Sequence, residues 1–183
     1  MENKICLNIG SGKTKIPGFT SIDVIPGVDI QGDFRTLNYK ESSVEEIYCS
    51  HTLEHFTFQE ADEILALFKK WLKPGGVLFL AVPDMQMIFK LLADDSWNEH
   101  LLGLVYGNNR YETDVHKSGW CRQSLNEKLS EFGFKVIEEF EPFVVGEDGA
   151  LFDASSMWYE DKFRTHYTIS INFKCVLEKL IGT

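Results

Sequence analysis

Apolar and polar positions divide this chain into runs of two periods. "KICLNIG" is a short apolar run stopped by glycine, the pattern of a strand buried on both faces. "FTSIDVI", "VDIQGDF" and "EEIYCSH" follow as three more short β-rich runs. The period then changes. From Gln59 to Leu72, the apolar residues Ala61, Ile64, Leu65, Leu67, Phe68, Trp71 and Leu72 fall at helical spacing, and "KPGG" supplies the stop. "VLFLAVPD" predicts an apolar strand ended by proline, and "MQMIFKLLADD" and Glu99–Tyr106 predict two helices. "YGNNRYETDVHKSGWC" is a polar and aromatic connection, "RQSLNEKLSEF" a helix ended by Gly133, and "FKVIEEF" a strand.

The last strand has the clearest signal. Ile169, Ile171, Phe173, Cys175 and Leu177 alternate with Thr168, Ser170, Asn172 and Lys174, a period of two with one polar face, which suits an antiparallel strand. Strands alternating with helices predict an α/β fold, a mostly parallel sheet with helices on both faces. No linker or repeat divides the chain, so one domain over 1–183 is expected. The segment Glu141–His166 is too long for a hairpin turn and, with 85–120, is expected to form a substrate-facing rim.

Composition narrows the partners. Twenty-eight acidic residues against eighteen basic ones give a formal charge of −10, which repels phosphate backbones and anionic membranes, so nucleic acid and membrane are not expected partners. Cys6, Cys49, Cys121 and Cys175 are widely spaced with no CxxC pair, and three of them fall in strand-like runs, as small buried hydrophobes do in a reducing compartment. The start lacks a long apolar stretch and no run approaches the length of a membrane span, so a cytoplasmic location is expected.

The first strand ends on Gly10, Ser11 and Gly12, and the second on Asp23. A glycine turn lets backbone approach a ligand, and an acid at the next strand end accepts from a ribose diol. A dinucleotide fold would place that acid about 20 residues on, after a helix whose N-terminus meets the pyrophosphate. Here Asp23 comes eleven residues after Gly12, with Pro17 and Gly18 between, and there is no room for a full helix. An adenosine cofactor without phosphate, such as S-adenosylmethionine, tolerates that loss.

The succession "CLNIGSG", "SIDV", "GDF", "CSHTLEH", "LKPGG" and "VPD" resembles the class I S-adenosylmethionine-dependent methyltransferases, in particular compact methyltransferase-domain proteins of the kind found in cell-surface polysaccharide biosynthesis. The likeness is best over residues 4 to 84. It implies a Rossmann-like, doubly wound sheet of about seven strands with an antiparallel C-terminal strand. It also implies roles by position. Gly10, Ser11 and Gly12 would face the methionyl part, Asp23 the ribose, Asp33 with Phe34 the adenine, and Ser50 and His51 the methyl group. Asn8 stands where the family usually carries an acid for the cofactor's ammonium group, and Thr14 where a third glycine is usual.

Methyl transfer to a hydroxyl benefits from a general base, and histidine has the pKa nearest neutrality. Among His51, His55, His100, His116 and His166, the catalytic candidates are His116, in the polar connection, and His51. Tyr106, Asn109, Tyr111 and Trp120 are candidates for the acceptor wall. No metal site is expected: His51 and His55 are four apart, but Thr52 stands where the HExxH pattern needs glutamate, and Glu54 and His55 read as hydrogen-bonding within their own loop. The reading is methyl transfer from S-adenosylmethionine to a small-molecule or carbohydrate-like acceptor, O-methylation favoured, with homodimerisation left open. Two alternatives stand beside it: a non-catalytic cofactor-binding module, motivated by Asn8 and Thr14, and a nicotinamide-dependent oxidoreductase.

Overall fold

The computed structural model describes residues 4–94, 98–109, 112–141, 158–161 and 164–178. The short apolar runs form β1 (Cys6–Ile9), β2 (Thr20–Asp23), β3 (Ile30–Gln31) and β4 (Val44–Ser50). Short 3-10 turns follow β3, at Phe34–Thr36, and β4, at Leu53–His55. Helix α1 (Phe58–Trp71) starts at a capping box, in which Thr57 Oγ1 accepts from Glu60 N at 3.2 Å and Glu60 Oε2 accepts from Thr57 N at 2.9 Å. Leu72 is already extended, so β5 (Leu72–Pro83) begins where the helix ends and "KPGG" lies within it.

Then come α2 (Met85–Asp94), α3 (Glu99–Tyr106), α4 (Arg122–Glu131), β6 (Phe134–Glu139), the small hairpin β7 (Trp158–Glu160) and β8 (His166–Thr168), and β9 (Ser170–Leu177). Among the described residues no helix is long and apolar enough to cross a membrane.

Seven strands make one sheet in the order β3-β2-β1-β4-β5-β9-β6, with β1 to β5 parallel and β9 antiparallel to both neighbours. This is the expected architecture, including the reversed last strand. Strand alternation sorts the side chains. Leu7, Ile9, Ile22, Ile47, Cys49, Leu78, Leu80, Val82 and Ile171 face the buried stripe of α1 (Ile64, Leu65, Phe68, Trp71) and Leu125 and Leu129 of α4 in one core. A fully buried side chain of this size contributes about 1.5–3 kcal/mol.

The neighbouring positions Tyr48, Phe79 and Ala81 point the other way. They pack with Ile16 and Phe19 of the β1–β2 connection and with Phe140. Phe140 sits 5.7 Å from Tyr48 and 5.4 Å from Phe79, edge to face with both. Residues 10–19 contain turns and no helix, so apolar loop side chains cover this part of the sheet.

Candidate active site

The strand order reverses between β1 and β4, and open α/β sheets bind ligands in the crevice outside the carboxyl ends at that point. The turn after β1 is tied to the end of β2. Gly10 N and Ser11 N both donate to Ile22 O, Gly12 N donates to Asp23 Oδ2 at 2.7 Å, and Ile25 N donates to Asp23 Oδ1 at 3.1 Å. Asn8 is buried and gives its Nδ2 to Thr14 O at 3.1 Å, so its amide holds the turn from beneath.

The two glycines do different work. Both have positive φ, +64° and +55°. A Cβ on Gly10 would lie 2.0 Å from Thr52 Oγ1, so its missing side chain makes room for the segment after β4. A Cβ on Gly12 would meet nothing within 4 Å, so only this glycine opens onto free space.

Asp33 lies past β3 and caps the following turn through Arg35 N. Its carboxylate is gripped by the Arg35 guanidinium at 2.7 Å, which holds it below the usual carboxylate range. Arg35 also reaches Glu60 and stacks over Phe56 at 4.8 Å. The Phe34 ring is in the core, 5.9 Å from Phe56, so only its backbone remains to meet a ligand.

At the end of β4, Ser50 is half-buried and His51 has φ +47°, a strained conformation for a residue with a Cβ. His51 N donates to Ala81 O, and its ring lies between two partners. Nε2 is 2.9 Å from Ser170 Oγ, and Nδ1 is 3.4 Å from Glu54 Oε1. Ser170 Oγ is in turn 2.8 Å from Asn172 Oδ1. Burial of Glu54 pushes its carboxyl up to about 8.

The expectation that Glu54 and His55 hydrogen-bond within their own loop is corrected. Among the described residues neither Glu54 carboxylate oxygen has a hydrogen-bond partner, and the Glu54 backbone carbonyl accepts from Lys117 N and Ser118 N. His55 Nδ1 reaches Val115 O at 3.2 Å. These contacts join the β4 end to the connection after α3.

His116 lies in that connection. Its Nδ1 is 2.8 Å from Leu104 O and its ring packs edge to face on His55 at 4.8 Å; burial and then the His55 charge lower the pKa of His116, and burial lowers that of His55. Trp120 is 2% exposed and packs on Phe58 at 5.1 Å, so most of its side chain belongs to the core. Tyr106 and Asn109 are exposed at the end of α3, and Tyr111 lies outside the described residues, as does most of the segment expected to complete the rim. His100 and His166 lie outside this cluster, His100 on α3 and His166 paired with Glu160.

Four residues of the site escaped the sequence reading: Thr52, Glu54 as a buried acid, Ser170 and Asn172. Ser170 and Asn172 were expected on a polar strand face, yet they are 1% and 8% exposed. Their alternation was visible, but nothing in it told solvent from a buried network.

Residues 12–80 match the family model described as a methyltransferase domain. No curated protein matches the chain. Among solved structures, the chain resembles the methyltransferase in a complex with the Haloferax volcanii Trm112 methyltransferase activator, at 17% identity and TM-score 0.58, over 97% of this chain and 84% of that one. It also resembles a Methanosarcina mazei S-adenosylmethionine-dependent methyltransferase, at 14% identity and TM-score 0.57, over 97% and 94%. A third is the Burkholderia thailandensis 1,6-didemethyltoxoflavin N1-methyltransferase, solved with 1,6-didemethyltoxoflavin and S-adenosylhomocysteine, at 11% identity and TM-score 0.55, over 96% and 71%. At these identities the structures speak for the fold, which is that of the S-adenosylmethionine-dependent methyltransferases, and the family match likens residues 12–80 to a methyltransferase domain.

Proposed function

We propose that this chain methylates a hydroxyl of a small or carbohydrate-like acceptor, with S-adenosylmethionine bound at the turn after β1. The observation that carries the cofactor reading is the pairing of Gly12, open on its Cβ side, with the Asp23 carboxylate, 2.7 Å from Gly12 N, at the switch point. The residues fit an adenosine without phosphate. Asp23 keeps lone pairs for a ribose diol, and no helix N-terminus follows the turn to receive a pyrophosphate, which also disfavours a nicotinamide dinucleotide. When bound, the cofactor supplies a methyl group already activated on a sulfonium, so the protein's task is mainly alignment.

In this reading Asp23 holds the ribose, Asp33 and the Phe34 backbone border the adenine, and Gly10 to Gly12 border the methionyl part. Asn8 lends no charge to the ammonium group. His51 is the base. To accept a proton at Nε2 the ring carries its own at Nδ1, towards Glu54 Oε1. The Ser170 hydroxyl serves both states: it donates to Nε2 of the neutral ring and turns to Asn172 Oδ1 when the ring is charged. His116 is less suited, because Nδ1 is committed to Leu104 O and the ring to His55. The acceptor class rests on the resemblance of the motif series to polysaccharide-associated methyltransferases.

Calorimetric titration with S-adenosylhomocysteine tests the site, with micromolar binding expected. Asp23→Ala should weaken it at least about tenfold, since a hydrogen bond to a charged group contributes about 1.5–3 kcal/mol. No binding at millimolar ligand sinks the proposal. Binding without methyl transfer to any hydroxylated acceptor favours the second reading, a cofactor-binding module without turnover, for which Asn8 is the motivating residue.

A further inference from the structure

Glu54, His55 and His116 each bring a ligand atom to within 4.8 Å of the others. They come from two segments, the 3-10 turn after β4 and the connection between α3 and α4, already joined by Lys117 N and Ser118 N donating to Glu54 O. Glu54 is 1% exposed, and among the described residues neither of its carboxylate oxygens has a hydrogen-bond partner, the His51 ring lying 3.4 Å from Oε1. Buried polar groups are normally hydrogen-bonded, and a buried carboxylate is normally paired or coordinates a metal.

Both histidines are prepared in the same way. His55 offers Nδ1 to Val115 O at 3.2 Å and His116 offers Nδ1 to Leu104 O at 2.8 Å. Donation from Nδ1 fixes the tautomer and leaves the lone pair on Nε2, as carbonyl partners do for metal-ligating histidines. The rings then meet edge to face at 4.8 Å. In the sequence His51 is the histidine nearest His55, whereas the fold gathers His55 with Glu54 and a residue 61 positions further on.

We propose that Glu54, His55 and His116 bind one divalent transition-metal cation, with Zn²⁺ the ion whose coordination they fit. Two imidazoles and one carboxylate suit zinc and its neighbours rather than magnesium or calcium, which take oxygen ligands. Three protein ligands leave a fourth position open, and bonds of about 2.1 Å at tetrahedral angles space the ligands about 3.4 Å apart. Side-chain adjustments of about an ångström close the present spacing to that value. The cation would fasten the connection after α3, part of the expected rim, to the end of β4. Glu54 Oε1 would still face His51 while Oε2 met the metal. The inference does not rest on the cofactor reading, because the site is complete without it.

The test uses the full chain, free of any affinity tag and stripped with a chelator, then equilibrated with Zn²⁺ alone. One zinc per chain by mass spectrometry of the dialysed protein is expected, and Co²⁺ should give visible absorption of a low-coordinate site. His116→Ala and Glu54→Gln should each weaken Zn²⁺ binding at least about 100-fold, since loss of an outer-shell partner alone costs 10–100-fold. His166→Ala, outside the cluster, should bind as the wild type does. A wild-type chain that takes up neither metal at millimolar concentration overturns the proposal, and so does a folded His116→Ala chain with undiminished affinity. The wild-type titration decides the matter even if a variant fails to fold.

Discussion

Thr52 occupies the space that a side chain on Gly10 would need: its Oγ1 would lie 2.0 Å, and its Cγ2 2.6 Å, from a Cβ at residue 10. This contact couples the end of β1 to the end of β4, the two strands that flank the switch point. Thr52 Oγ1 itself donates towards Ser50 O at 3.1 Å and Ile9 O at 3.3 Å, so it has no freedom to move aside.

Gly10→Ala and Gly12→Ala should therefore fail in different ways. At Gly10 a side chain adds a left-handed penalty of about 1–2 kcal/mol to an overpacking cost of about 1–3 kcal/mol. Thermal denaturation should show a fall in melting temperature of roughly 5–20 °C. Thr52→Ala should restore part of it, because the two nearest clashing atoms leave. At Gly12 the loss of stability is expected to be about 1–2 kcal/mol, while the new methyl enters the crevice and weakens S-adenosylhomocysteine binding at least about tenfold. Undiminished binding by Gly12→Ala would place the cofactor elsewhere.

His51→Gln should lower the rate of methyl transfer by about 10²–10⁴-fold, the range for a positioned general base, with the dissociation constant for S-adenosylhomocysteine unchanged. Ser170→Ala removes the hydroxyl 2.9 Å from Nε2 and should move the pH profile of kcat while leaving KM for the cofactor alone. A His51→Gln enzyme with wild-type kcat would remove His51 as the base.

Stability in the metal-free chain should depend on pH through Glu54. Its folded pKa is about 8, raised by burial above an unfolded value of 4.5. Between those limits the folded chain holds a proton that the unfolded chain has released, so stability falls as pH rises from about 4.5 to about 8. His51, His55 and His116 face this carboxyl. Comparing wild type with Glu54→Gln in chemical denaturation across that range isolates the glutamate. The difference in unfolding free energy should grow with pH in favour of the variant, and a constant difference would show that the carboxyl is not held neutral.

Cys121 should be the first thiol to react. It caps α4, where the Ser124 hydroxyl at 3.4 Å and nearby backbone amides lower its pKa, and it lines a shallow cleft with Met85, Phe89 and Gln123. Burial pushes Cys175 up to about 12 and raises Cys49 and Cys6. Limited iodoacetamide treatment followed by peptide mass spectrometry should find Cys121 labelled ahead of the other three, and equal labelling would contradict this.

Much of the fold was legible because it depends on local period. The Ala61 to Trp71 stripe can bury itself only as a helix, and the alternation from Ile169 to Leu177 only as a strand. The short spacing from Gly12 to Asp23 correctly left no place for a helix, since a helix needs residues that this segment lacks. Motif order was equally readable: Gly10, Asp23, Asp33 and His51 sit at strand ends because each strand is stopped by the residues that follow it.

What the sequence could not carry was the pairing of distant side chains. Glu54, His55 and His116 meet because strand order brings the end of β4 under a connection 61 residues later in the chain, and Ser170 meets His51 because β9 inserts antiparallel beside β5. Glu54 reads in the sequence as an ordinary loop acid; burial by residues from elsewhere takes its carboxyl out of water. Trp120 likewise looked available to an acceptor until the core closed around it. Local chemistry determined the elements of this protein and the glycine turn after β1. Only tertiary packing decided which polar groups lose their water, because desolvation is a property of all the neighbours at once.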